Sequence, residues 1–324
     1  MTLRAEQIEA LPSPLRVERS ALPRHVRAEI EQLIGTAPLR FSFQLLVTWV
    51  TIGVAVWWAA HAGSVLVSLL VVFVVASRQM LLGFLLHEQV HDLAYRGWWG
   101  DLVVNLLAGW PLMVITVEGY AQVHLSHHKY YFTAKDPDFV RKSGADWAMP
   151  TSPLHLSRLL LTDLLGLNLW KLIQGKRMMR PVPEFARWAP PLATRLLYYL
   201  ILAAVITAMG AWTIVLLYWV LPLLTVTQAL LRWGALCEHK YNLAGPSVAQ
   251  SSPIIVLRWW DRLVLPNLNF TLHPYHHYWP GIPYGSLSRV HQIFEREGLV
   301  DDARVFHGYW CFLKFVLGSR PPGS

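Results

Sequence analysis

Hydrophobic positions along this chain come in long unbroken runs rather than in the three-to-four-residue rhythm of a soluble helix. Two of them, residues 41–60 and 64–86, hold 20 and 23 residues, and each is long enough to cross about 30 Å of hydrocarbon as a helix. Only His61, Ala62 and Gly63 lie between them, which predicts a tight helical hairpin. A third run, 196–231, has 36 residues and would measure roughly 54 Å as one helix. It is expected to be a second hairpin, broken near Gly210. The run 102–117 gives only about 24 Å of helix and contains Gly109 and Pro111, so a re-entrant or interfacial hairpin is expected there. Residues 159–173, with Asp163 and Lys171, read as a helix lying in the membrane interface. Residues 24–34 read as a short surface helix stopped by Gly35.

Charge placement orients these segments. Of the 28 Lys and Arg, 27 lie before residue 41, between 87 and 195, or after 231, and short cytoplasmic segments are the ones that keep positive charge. Both termini and the middle segment are therefore expected in the cytoplasm. Arg78, inside the second run, is the exception and predicts a polar cavity or a partner at that depth. The expected fold is an all-α integral membrane protein with four transmembrane helices in two hairpins. A re-entrant hairpin and a cytoplasmic helical cap complete it. Residues 1–40 form a cytoplasmic N-terminal segment, 41–296 a single domain without internal repeats, and 297–324 a cytoplasmic tail. A bacterial cytoplasmic membrane is the expected location.

Composition supports a lipid solvent, since 54% of residues are hydrophobic and 15% charged, outside the usual soluble balance. Sixteen Trp and twelve Tyr suit the boundary between hydrocarbon and headgroups. A Trp-rich soluble core would explain the composition but not the run lengths. Cys237 and Cys311, far apart in sequence, provide neither a disulfide framework nor a paired-cysteine metal motif. The first 40 residues lack the apolar stretch of a secretory signal.

Histidines change the picture from architecture to chemistry. Eight of the fourteen fall in three windows, HEQVH at 87–91, HLSHH at 124–128 and HPYHH at 273–277. Residues at i, i+3 and i+4 share a helical face. His87 with His91, His124 with His127 and His128, and His273 with His276 and His277 can each point as a group at one centre. Pro274 fits the first turn of its helix, where a missing N–H is tolerated. One such histidine is ordinarily a satisfied or exposed side chain; three matching windows, all expected on one membrane face, are not explained that way. Imidazole suits several metals, but a zinc site takes about four ligands and has no redox chemistry. Eight or nine histidines suit two redox metals, and iron is the choice beside hydrocarbon. Asp92, Asp136, Asp138 and Glu238, near the clusters in sequence, are the candidates to orient the ligand rings.

His239 is expected as a ninth ligand outside the three windows. Two helical turns beyond the third run, roughly 11 to 12 Å, would lift it to the height of His87 and His91. HEQVH also matches HExxH, in which two histidines bind zinc and Glu88 would serve as a protease's general base; that reading leaves both HxxHH windows unexplained. Glu88 with His91 is an ExxH pair as in soluble di-iron bundles, which carry more glutamates. A metal transporter should place its ionisable ligands within the spans rather than at their ends.

With these residues in view, the chain resembles the membrane fatty acid desaturase superfamily, which also contains hydroxylases and ketolases. The likeness rests on HEQVHD after a membrane span, on HLSHHKYYFTAKDPDF with its acidic DPD, and on HPYHHYWPGIPYGSL, and it runs over residues 80–295. It implies four spanning helices under a cytoplasmic cap holding two iron ions, with O2 as co-substrate and two external electrons per turnover. The implied substrate is a fatty acyl chain or a related lipid, alkane or carotenoid. Desaturation is the favoured reaction, and hydroxylation or ketolation the alternative. Glu88 stands where many members have Asp. His273 stands where front-end desaturases have Gln, which argues against a cytochrome-fused type. Ala235 stands where some animal members have Asn. A separate ferredoxin- or cytochrome-type donor with its reductase is therefore implied; Lys176, Arg177 and Arg180 could dock it, or could meet anionic membrane lipids. No nucleic-acid partner is expected.

Overall fold

The computed structural model describes residues 13–113, 115–168, 170, 183–243 and 246–319. The basic residues Lys176, Arg177 and Arg180 lie outside the described residues, as does Lys171. The chain is mostly helical and divides into two compact units.

One unit comprises Thr36–Gln122 and Leu160–Arg232. Its first hairpin joins helices Pro38–Ala62 and Val65–Val90. Gly63 makes the turn at φ 58°, a conformation glycine adopts without steric cost, and Ser64 caps the second helix by accepting from Val67 N–H. The second helix runs on past the apolar run and ends within the first histidine window. The 36-residue run is interrupted at Gly210, with φ 61°, between helices Leu192–Ala208 and Trp212–Glu238. Pro38–Ala62, Val65–Val90 and Trp212–Glu238 are long and apolar enough to cross a membrane; Leu192–Ala208, with 17 residues, is apolar but shorter. Only 22%, 44% and 39% of the most apolar windows of the three long helices are buried. Apolar surface left uncovered on that scale calls for lipid as the surrounding solvent.

Gln79 is a polar side chain held between two helices of this unit. Gln79 donates to the Trp219 carbonyl at 2.8 Å and accepts from Thr227 Oγ1 at 2.7 Å, next to a π-helical turn at Leu216–Val220. Arg78 is half-buried, and among the described residues its Nε has no hydrogen-bond partner. Among the described residues of the run 102–117 there is no helix of membrane-spanning length. Trp98–Val104 leads into a π-helical turn at Asn105–Gly109, and the chain then reverses so that Asn105 accepts from Val117 N–H and donates to Glu118.

The interfacial helix expected over 159–173 falls partly outside the described residues, which omit 169 and 171–173. Its first part belongs to the helix Pro153–Leu164, begun by a proline that fixes helical φ at its start and closed before Gly166, whose φ is 71°. Asp163 is buried and paired with buried Arg232.

The other unit comprises Met1–Gly35, Val123–Leu159 and Trp233–Ser324. Its core gathers Val26, Ile30, Tyr275, Trp279, Val290 and Phe294. Helix Arg24–Glu31 supplies Val26 and Ile30, one helical turn apart. The segment ahead of it is stitched to the C-terminal part by a Leu15–Val300 bridge and by Tyr278 donating to Glu18 at 2.7 Å. Ile255–Val256 pairs in parallel with Phe306–His307.

Candidate metal centre

Each histidine window lies on a helix or at its end. His87 occupies the last turn of Val65–Val90, and His91 is that helix's C-cap residue; their ring centroids are 5.0 Å apart. His124, His127 and His128 lie on Val117–Lys129. His273, His276 and His277 lie on His273–Tyr278, with proline in the first turn. His239 follows directly on the Trp212–Glu238 helix, as its backbone N–H still bonds to the Ala235 carbonyl.

Four of these residues, all within the second unit, bring their Nε2 atoms together. His239 Nε2 lies 3.2 Å from that of His127, 3.0 Å from that of His273 and 3.1 Å from that of His277; His273 and His277 are 3.1 Å apart. All four ligand nitrogens fall within 4.8 Å of one another. Tetrahedral coordination with metal–nitrogen bonds of about 2.0–2.1 Å places the nitrogens roughly 3.3–3.4 Å apart, so this spacing is close to what a first-row metal requires. A second convergence in the same unit has His128 Nε2 at 3.0 Å from His124 Nε2 and 3.1 Å from His276 Nε2.

The far sides of the rings are held as well. Asp136 accepts from His127 Nδ1 at 2.8 Å and is fully buried. It caps the helix Pro137–Lys142 through the N–H groups of Asp138 and Phe139, and it also accepts from Phe132 N–H. A carboxylate fixed on four sides puts the His127 proton on Nδ1 and leaves the Nε2 lone pair for a metal. His239 Nδ1 lies 2.8 Å from Ser252 Oγ and 3.1 Å from the Tyr131 hydroxyl. Burial, reinforced by the surrounding histidines, holds the His239 and His277 imidazoles well below their ordinary range. They are neutral at physiological pH, which is the form that binds metal. Burial also pushes the Tyr131 phenol far above its ordinary range, so it stays a neutral hydroxyl.

The other acidic candidates face elsewhere. Asp138 meets Lys142 at 2.8 Å, Arg141 at 2.6 Å and the Tyr241 hydroxyl at 3.3 Å. Burial alone would raise its pKa, but Lys142 and Arg141 outweigh burial and hold the carboxyl far below the usual range. Asp92, at φ 57°, accepts from Arg187 at 2.5 Å. Glu238 is half-buried at the end of the Trp212–Glu238 helix. Sequence proximity also missed Arg187. It clamps the end of the first-window helix, donating to the Val90 carbonyl at 2.6 Å as well as to Asp92 and buried Asp101. No spacing rule links it to that helix across 97 residues.

The fatty acid desaturase family model matches residues 57–310, which include all nine histidines. The chain belongs to the fatty acid desaturase family. No curated protein sequence matches it significantly. A desaturase of this family is an oxidoreductase that works in a membrane on a lipid or acyl substrate. Its histidine groups, its membrane-length helices and the family assignment agree with one another.

Proposed function

We propose that this chain is a membrane-bound, oxygen-dependent desaturase that introduces a double bond into a fatty acyl chain at a di-iron centre. The observation that carries the reading is the convergence of four imidazole Nε2 atoms, that of His239 lying 3.0–3.2 Å from the other three, with the Nδ1 sides of two of the rings tied to Asp136, Ser252 and Tyr131. Nitrogens with lone pairs aimed at one another repel unless a cation lies among them, so the donor set fits a resident metal. His127, His239, His273 and His277 would hold one iron. His124, His128 and His276 would help to hold the other, and His87 and His91 of the first window are proposed as further iron ligands. When bound, the irons supply reductive activation of O2 and removal of hydrogen from an unactivated C–H bond.

What the protein's own residues contribute is ligand geometry and dryness. His239, His273 and His276 are at most 2% exposed, so bulk water is kept from the side on which they face. His127 is held by an acid that is itself fixed by three backbone N–H groups, so the acceptor that orients its ring cannot shift to follow it. In this reading four helices span the membrane, Pro38–Ala62, Val65–Val90, Leu192–Ala208 and Trp212–Glu238. Residues 98–129 enter and leave on one face, and both termini and the histidines are cytoplasmic. Electrons come from a separate carrier protein.

Hydroxylation uses the same ligands and differs only in substrate placement at the sub-ångström scale. Mass spectrometry of lipids from cells expressing wild type or His127→Ala decides between them. A product two mass units below its parent, absent from the variant, is expected. A gain of sixteen units would replace desaturation with hydroxylation, and identical lipid profiles would remove both.

A further inference from the structure

Ser251 and Ser252 stand in the sequence AQSSP, which no metal motif singles out, yet both are fully buried against the four-histidine group. Their segment begins with Ser247, whose side chain and that of Gln250 cap each other's backbone groups. It is tied to the ligand itself, because Lys240 N–H, one residue past His239, donates to the Ser251 carbonyl at 2.7 Å. Local folding thus sets two hydroxyls at a fixed distance from one imidazole.

The protons in this network can be arranged in only one consistent way. Ser251 Oγ donates to the Ser247 carbonyl at 2.9 Å, and a carbonyl can only accept. The Ser251 proton is therefore committed, and at its 2.5 Å contact with the Tyr131 hydroxyl Ser251 must accept and Tyr131 donate. With its own proton used, Tyr131 can only accept from His239 Nδ1 at 3.1 Å. Ser252 Oγ, at 2.8 Å from the same nitrogen, accepts too and turns its proton toward Tyr131 at 3.4 Å. Had Ser252 donated to Nδ1 instead, Tyr131 and Nδ1 would face each other as two acceptors. Buried polar groups avoid such contacts.

We propose that Tyr131, Ser251 and Ser252 are positioning residues that read out the polarity of the Ser247 carbonyl and fix His239 as its Nδ1–H tautomer, presenting a lone pair at Nε2 to the metal. They do for His239 what Asp136 does for His127, using neutral hydroxyls where the other ligand has a carboxylate. This deepens the proposed function and rests on the metal-centre reading. A neutral orienting group leaves its imidazole a weaker donor than a carboxylate does, so the two ligands are electronically unequal.

The test uses the full-length protein in detergent, stripped of metal and titrated with Co2+ alone, with the d–d absorption bands followed. Wild type should take up two Co2+. Tyr131→Phe combined with Ser252→Ala should weaken one of the two by about 10–100-fold and shift its band, while the other keeps wild-type affinity as an internal control. Ser252→Thr, which retains the hydroxyl, should bind within about twofold of wild type, and Ser252→Ala should not. Wild-type affinity and spectrum in the double variant overturn the proposal. If the double variant does not fold, equal binding by Ser252→Thr and Ser252→Ala overturns it equally. A wild-type protein that binds no Co2+ would remove the metal-centre reading and this inference together, whereas binding unaffected by the variants would remove this inference alone.

Discussion

At the scale of single residues, the chemistry of each histidine is decided by what meets its outer nitrogen. His239 has Ser252 and Tyr131 there and three imidazoles on its inner side. His155 stands 3.8 Å from half-exposed Asp146, and exposed His307 stands 3.6 Å from Asp302. His239→Ala should therefore lower iron occupancy and activity at least about tenfold, while His155→Ala and His307→Ala leave both unchanged; equal, mild effects from all three would show that His239 is not a ligand. Asp138 tests stability rather than chemistry. Its carboxyl is held far below the usual range, against the effect of burial, by Lys142 and Arg141. A depressed pKa stabilises the fold above the ordinary carboxyl value of about 3.9, and the gain is lost as pH falls through the folded value. Asp138→Asn leaves the Lys142 ammonium, 7% exposed, without its counter-charge at a cost of about 3 kcal/mol. Melting curves should show that deficit constant from pH 5 to 8 and shrinking below about pH 4. A deficit that varied between pH 5 and 8 would mean that another group is responsible.

At the scale of elements, the helix bearing His87 and His91 ends in a clamp. Arg187 meets the Val90 carbonyl, Asp92 and Asp101 at once, which suits a planar fork of donors and not a single ammonium. Arg187→Ala should lower the melting temperature and reduce iron at the site served by His87 and His91, leaving about one iron per chain; Arg187→Lys should recover little. Metal analysis and thermal unfolding of the same preparations check both, and two irons retained in Arg187→Ala would dissociate the clamp from the site. The hairpin turn at Gly63 and the break at Gly210 were legible in the sequence, because glycine is the residue that tolerates positive φ between long apolar runs. The pairing of Asp163 with Arg232 was not, because the two residues lie 69 positions apart.

At the scale of the whole molecule, the histidines can share a centre only if residues 98–129 do not cross the bilayer, since a crossing would separate the first and second windows by about 30 Å. Cysteines placed at exposed Arg96 and Ser143, in a Cys311→Ser background, should therefore react with a membrane-impermeant maleimide from the same, cytoplasmic side. Labelling from opposite sides would sink the di-iron reading. The purified protein should carry close to two irons per chain, and replacing any window histidine should abolish turnover while the helices remain inserted. Membrane insertion depends on apolar length and internal backbone hydrogen bonding, not on these ligands. One tightly bound zinc in active preparations would favour the HExxH protease alternative.

The sequence by itself determined what is local. Run length marks the membrane helices, glycine marks their turns, and i, i+3, i+4 spacing puts ligands on one helical face, because helix geometry is the same wherever the helix lies. The tertiary structure alone decided which ligands meet and what holds them. His127 and His128 are neighbours on one helix, yet one points its Nε2 at His239 and the other at His124 and His276. Of four acids near the windows, Asp136 reaches a ligand, whereas Asp138 and Asp92 are taken by Lys142, Arg141 and Arg187. The hydroxyls behind His239 come from positions 131, 251 and 252. A hydrogen bond acts over about 3 Å, and residues 13 to 120 apart in sequence enter that range only when packing of the folded chain brings them there.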